Sequence, residues 1–62
     1  MSFATFTQKD TDKKVLVNLN NITMILGKTQ YSTTQYSTIC FEDVNNFVDV
    51  KETIEEIKTR LD

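Results

Sequence analysis

Between Leu16 and Val50 the apolar residues come in short alternating runs, none longer than Met24-Ile25-Leu26, and these lead directly into one stretch of helical periodicity, Thr53 to Leu61. Alternation with a period of two places successive side chains on opposite faces of a strand, whereas a helix repeats every 3.6 residues. The chain is thereby restricted to a series of short strands followed by one helix. Phe3–Thr7 reads as a first strand, with a helical turn as the alternative, and Lys14–Asn18 as a second, with Val15 and Val17 on one face and Leu16 on the other. The polar turn Lys9-Asp10-Thr11-Asp12-Lys13 separates them, and Asn18-Leu19-Asn20-Asn21 ends the second, since Asp and Asn side chains bond their own backbone in turns.

Ile22–Leu26 is predicted as a third strand, with Ile22, Met24 and Leu26 on one face and Thr23 and Ile25 on the other. Apolar groups on both faces suggest a central strand. Residues 29–38 then repeat five residues in tandem, Thr29-Gln30-Tyr31-Ser32-Thr33 and Thr34-Gln35-Tyr36-Ser37-Thr38. An odd period turns equivalent residues to opposite faces of a strand, so the two copies cannot play the same part. The first copy is assigned to a hairpin loop and the second to a strand, Tyr36–Phe41. Glu42-Asp43-Val44-Asn45-Asn46 is the next turn and Phe47–Val50 a fifth strand. Thr53-Ile54-Glu55-Glu56 matches a capping box, and Ile54, Ile57 and Leu61 form one stripe that must pack on the sheet. The order is a strongly bent meander or small open barrel of five strands closed by a C-terminal helix, in a single domain spanning 1–62.

A domain of 62 residues buries only about 60% of its unfolded surface and usually needs a staple. One Cys rules out an intrachain disulfide, and without His no cluster has metal-ligand spacing. Oligomerisation is the remaining common source of stability. The same inventory argues against an enzyme and requires no cofactor. Cys40 and the many Ser and Thr residues have no His to act as base, and the single glycine, Gly27, cannot form a phosphate loop. Cys40 is expected to be a buried structural thiol, and Glu52, Glu55 and Glu56 a solvated helix face favoured by the helix dipole. No apolar run approaches the ~20 residues of a membrane span. Met1-Ser2-Phe3-Ala4-Thr5 lacks the pattern of a secretory signal, and a lone thiol suits a reducing interior, so no membrane partner and a cytoplasmic location are expected.

The net charge of -2 conceals an asymmetry. Lys9, Lys13, Lys14 and Lys28 against Asp10 and Asp12 leave residues 1–30 at +2, while residues 31–62 stand at -4. The basic half is the only electrostatic footprint for a polyanion. Candidate nucleic-acid contacts are therefore Lys9, Lys13, Lys14 and Lys28 for phosphates, Tyr31 for base stacking, and Asn45 and Asn46 for an unpaired base. In a ring such modest contributions multiply around the axis.

The pattern Val15-Leu16-Val17-Asn18-Leu19-Asn20-Asn21-Ile22, then Thr38-Ile39-Cys40-Phe41-Glu42-Asp43, then Phe47-Val48-Asp49-Val50-Lys51-Glu52-Thr53 with a short amphipathic helix, resembles two groups of small proteins. One is the small proteins of marine phages and ocean metagenomes that look like Sm-like barrels assembling into rings. The other is the flagellar FlbD-like family. The Sm-like resemblance implies a mainly β fold: a small, strongly bent five-stranded antiparallel Sm-like or SH3-like barrel, here with one C-terminal α-helix. It also implies a homo-oligomeric ring, expected at about five to seven subunits from closed cyclic symmetry, binding single-stranded RNA or DNA near its pore. The chain departs from the Sm pattern in lacking an Arg-Gly pair in the last hairpin, and in carrying its helix at the C-terminal rather than the N-terminal side. The alternative reading is a protein-interaction adapter using a sheet edge or the helix face, with no nucleic acid.

Overall fold

The computed structural model describes residues 2–42 and 45–61. It contains five strands, β1 (Phe3–Thr7), β2 (Lys14–Asn18), β3 (Ile22–Gln30), β4 (Thr34–Phe41) and β5 (Phe47–Val50), and one helix, α1 (Ile54–Leu61). The mainly β class with a C-terminal helix agrees with the sequence reading. The turn expected over Glu42–Asn46 lies partly outside the described residues, at Asp43 and Val44.

The strands form two antiparallel sheets, β1-β2 and β3-β4-β5. The sheets meet where β1 runs past the end of β5. Gln8 and Val50 form a single antiparallel bridge, the Lys9 amide donates to the Asp49 carbonyl (2.9 Å), and the Lys51 amide donates to the Thr7 carbonyl (2.8 Å). Strand order across the molecule is therefore β2-β1-β5-β4-β3, with no ladder between β2 and β3 among the described residues. Among the described residues no closed barrel forms. A 3-10 turn, Leu19–Asn21, links those two outer strands, and Asn18 Oδ1 accepts the Asn20 amide at its start (3.1 Å).

Two expectations are overturned at β3. Within the three-stranded sheet the central strand is β4, and β3 is an edge. Its alternation also breaks, because Ile22 pairs with Phe41 while Met24 pairs with Cys40, leaving Thr23 as a bulge. The Thr23 hydroxyl donates to the carbonyls of Cys40 (3.3 Å) and Phe41 (3.0 Å), which holds the extra residue in place. An inserted residue shifts the pleat by one. Ile22 and Ile25 thus both pack on the core, while Met24 and Leu26 face outward. Apolar residues on both faces mark here a bulged edge rather than a buried centre.

The repeat is also divided differently from the sequence reading. Thr29 and Gln30 complete β3, only Tyr31-Ser32-Thr33 turns, and β4 begins at Thr34, two residues before the predicted start. The Thr33 amide donates to the Gln30 carbonyl (3.2 Å), with Tyr31 (φ 55°) and Ser32 (φ 61°) both left-handed. Two positive φ values give the turn a twist that matches the twist of the flanking strands. The first copy is thus mostly strand and turn tip, and the second is all strand.

The buried apolar core among the described residues is Phe6, Val17, Ile39, Val50 and Ile57. The inward rows of the larger sheet are Ile25-Ile39-Val48 and Gly27-Ser37-Val50. Helix α1 begins as predicted: the Glu56 amide donates to Thr53 Oγ1 (3.3 Å) and the Thr53 amide to Glu56 Oε1 (3.0 Å). Of the three-residue stripe only Ile57 is enclosed, because Ile54 and Leu61 lie at the ends of a helix only two turns long and stay part-exposed. Ile54 rests on Gly27, where a Cβ would sit 2.8 Å from its Cδ1. The missing side chain permits that close approach of helix to sheet.

Candidate nucleic-acid interface

The basic candidates do not form one cluster. Lys13 is exposed on the turn between β1 and β2. Lys14 lies on the outer face of that pair, its Nζ donating to Thr7 Oγ1 (2.8 Å). Tyr31 is 85% exposed at the hairpin tip. Asn45 and Asn46 adjoin the opposite end of β4, which at about 3.3 Å per residue is roughly 20 Å away, and the Asn46 carbonyl accepts the Phe41 amide (3.0 Å). No single short ligand segment reaches all of these.

Lys9 instead meets Tyr36, with Lys28 on the neighbouring strand. The register opposes Lys28 to Tyr36 across β3 and β4, and the Lys9 ammonium stands 4.8 Å from the centre of the Tyr36 ring. Cation and ring attract through the ring quadrupole. Beside them lies a cleft of about 300 Å³ lined by Lys9, Gln30, Thr34, Gln35, Tyr36 and Lys51. Lys51, Gln30, Gln35 and Thr34 are absent from the candidate contacts drawn from sequence, and of the tyrosine pair of the repeat, Tyr31 and Tyr36, the sequence reading favours Tyr31. The register of the hairpin would have revealed Tyr36, because a loop confined to residues 31–33 sets Tyr36 opposite Lys28. Lys51 stands in the acidic half of the chain and reaches this cleft only because β5 runs back beside β1.

Cys40 departs from expectation too. It is half-buried on the outer face of the sheet, where the register places it between Met24 and Phe47. Both neighbours are more than half exposed. The thiol faces outward because the inward positions of β4 belong to Ser37, Ile39 and Phe41.

Glu52 is the larger surprise. It is not part of a solvated face but 8% exposed, and both of its carboxylate oxygens accept the Thr7 amide (3.0 and 3.1 Å). Arg60 stands 3.7 Å away, donates to the Thr5 carbonyl and lies over the Phe6 ring. Burial alone would raise the Glu52 pKa. Hydrogen bonds from the amides of Thr7 and of Glu52 itself, the Thr7 hydroxyl and the Arg60 charge outweigh it, so the carboxyl is held below its ordinary value. Glu52 thereby satisfies β1 where the β1–β5 pairing runs out, and Arg60 ties α1 to the same strand. This is an architectural latch rather than a reactive pair.

Among the described residues no group of three or more His, Cys, Asp or Glu side chains is placed to hold a metal ion, and no helix is long and apolar enough to cross a membrane. No protein-family model, curated protein or solved structure matches the chain.

Proposed function

We propose that this chain is a non-catalytic, cytoplasmic binding module of the Sm-like or SH3-like kind that assembles into a homo-oligomeric ring and binds single-stranded RNA or DNA. The observation that carries the assembly is the distribution of apolar surface. Among the described residues five hydrophobic side chains are buried, while Leu16 (69%), Phe47 (59%), Met24 (52%), Phe3 and Leu61 remain substantially exposed. Isolated exposed apolar residues are ordinary, but so small a core beside so many of them favours a partner surface. The outer strands β2 and β3 each have one strand neighbour, which leaves two sheet edges for pairing. Joining the β2 edge of one copy to the β3 edge of the next is a head-to-tail contact, which generates a ring when the rotation closes, here at about five to seven subunits.

Nucleic-acid binding rests on the Lys9–Tyr36 cleft with Lys28 beside it, a cationic and aromatic surface on a chain of net charge -2. Native mass and the 260/280 nm absorbance ratio of the purified protein test both parts. A ring that carries host nucleic acid is the expected result, and a monomer at low micromolar concentration would overturn the assembly.

The adapter reading has one observation in its favour, the outward row Met24-Cys40-Phe47 with Leu26 beside it. A nucleic-acid-free dimer whose thiol becomes protected from alkylation on assembly would favour it.

A further inference from the structure

We infer that the cleft between Lys9 and Lys51, beside Tyr36, is the site that takes a phosphodiester of a single strand, and that Asp10 and Asp12 occupy its two lysines in the free protein. The inference rests on the nucleic-acid reading above and assigns the contact to side chains that come from three separate parts of the chain.

The lining of the cleft sets the chemistry. Two of its six side chains are lysines, none is acidic, and Gln30 and Gln35 carry carboxamides that both donate and accept. Tyr36 positions the Lys9 ammonium by the ring contact at 4.8 Å, so one cation is held at the cleft instead of trailing into solvent. Lys28 adds a third positive charge across the hairpin, opposite Tyr36. Cations beside carboxamides suit a ligand that is anionic on one side and carries base edges on the other, as a strand of nucleic acid is. The volume, about 300 Å³, lies at the lower end of the range of small-ligand pockets.

Both lysines already have acidic neighbours on the β1–β2 turn. Lys9 pairs with Asp10 (3.4 Å) and Lys51 pairs with Asp12. The Lys51–Asp12 pair is exposed at both ends, and in the Lys9–Asp10 pair the lysine is largely covered while the aspartate is 79% exposed; pairs open to solvent on the acidic side contribute little and are screened by salt. A phosphate entering the cleft meets two lysines held by partners it displaces at small cost. The turn thus acts as an internal competitor that weakens binding without blocking it.

The test uses the full chain with Tyr31→Phe. The sequence has two tyrosines and no tryptophan, so Tyr36 becomes the sole intrinsic fluorophore and reports on the cleft itself. A short oligothymidylate is titrated at two salt concentrations, with pyrophosphate as the comparison anion. Saturable quenching of Tyr36 is expected, with a salt slope near -0.7 for each phosphate contacted. Lys9→Gln with Lys51→Gln should weaken binding by about tenfold or more and flatten the salt slope, whereas Lys13→Gln with Lys14→Gln should leave both nearly unchanged.

Asp10→Asn with Asp12→Asn should tighten binding severalfold. Asn tolerates the left-handed backbone that Asp12 adopts at φ 59°, so this variant keeps the turn and tests the site by gain rather than loss. Unaltered affinity in that variant would overturn the competition by the turn. Binding that survives the Lys9 and Lys51 changes but is lost with Lys13 and Lys14 would overturn the cleft and leave the nucleic-acid reading standing. Pyrophosphate that saturates Tyr36 as readily as the oligonucleotide would overturn the strand as ligand. Absence of any oligonucleotide binding at low salt would overturn the functional reading and this inference with it.

Discussion

Replacing Ile57 with Ala tests whether the single helix is part of the core. Ile57 is fully enclosed and belongs to one cluster with Phe6, Val17, Ile39 and Val50. The substitution removes three buried carbons, which at about 0.8 kcal/mol each amounts to about 2.4 kcal/mol of lost transfer free energy. The cavity left behind adds to that, and the expected total lies within the 2–5 kcal/mol typical of such truncations, roughly 3 kcal/mol. Alanine is the better helix former, so local propensity opposes the loss and cannot cause it. At about 0.05–0.15 kcal/mol per residue the whole domain has roughly 3–9 kcal/mol to lose, and the variant should lose from about a third to all of its stability. Thermal and urea melts followed by circular dichroism measure this directly, with a fall in Tm of about 10 °C or more expected for a domain of this size. Leu61→Ala is the control, because Leu61 shares the same stripe but is 45% exposed and should cost about half as much in transfer free energy, about 1.3 kcal/mol, with no enclosed cavity to add to it. If Ile57→Ala melts within a degree or two of the parent, or if both variants lose the same amount, α1 does not pack on the sheets as described.

Tyr31→Asn combined with Ser32→Gly should stabilise the hairpin by about 1 kcal/mol, since both positions have positive φ and Asn-Gly is the preferred pair there; a lower Tm would show that the tip takes another shape. Ser37→Ala should be neutral or stabilising by up to about 1 kcal/mol, because the buried hydroxyl has no hydrogen-bond partner among the described residues; a loss beyond about 2 kcal/mol would reveal one. Glu52 has a folded pKa below its ordinary value of 4.5, so its contribution is complete above that pH and is lost as acid drives the pH down through the folded value. Glu52→Gln should accordingly be less stable near neutrality and flatten the acid limb of the stability curve, as read by urea melts across pH. Deleting Thr29–Thr33 should unfold the domain, because the remaining copy must serve either as the end of β3 with its turn or as the first five residues of β4, and it cannot serve as both; a folded deletion variant would refute the register between β3 and β4.

Much of the fold is written in local sequence. Alternation in Val15-Leu16-Val17 defines the inward face of β2, the Thr53 and Glu56 pair starts α1, and Asn18 ends β2 by accepting its own neighbour's amide. These features depend on residues within a few positions of one another, so the local pattern suffices. Which strand is central, and which face a residue meets, depends on pairing between distant segments. The Thr23 bulge is held by carbonyls 17 and 18 residues away, and it alone separates Ile22 from Met24 and Leu26 in their orientation.

The same division applies to the candidate site. Sequence identified the lysines of the basic half and the odd period of the repeat, which already made the two tyrosines unequal. Only the tertiary structure decided that Tyr36 rather than Tyr31 meets them, that Lys51 from the acidic half joins Lys9, and that Glu52 leaves the helix face to satisfy Thr7, 45 residues earlier. Charge and hydropathy are properties of single residues and can be read in order along the chain. Proximity across a sheet follows from register, and register is set by the bulge, the turn and the one bridge between the sheets acting together.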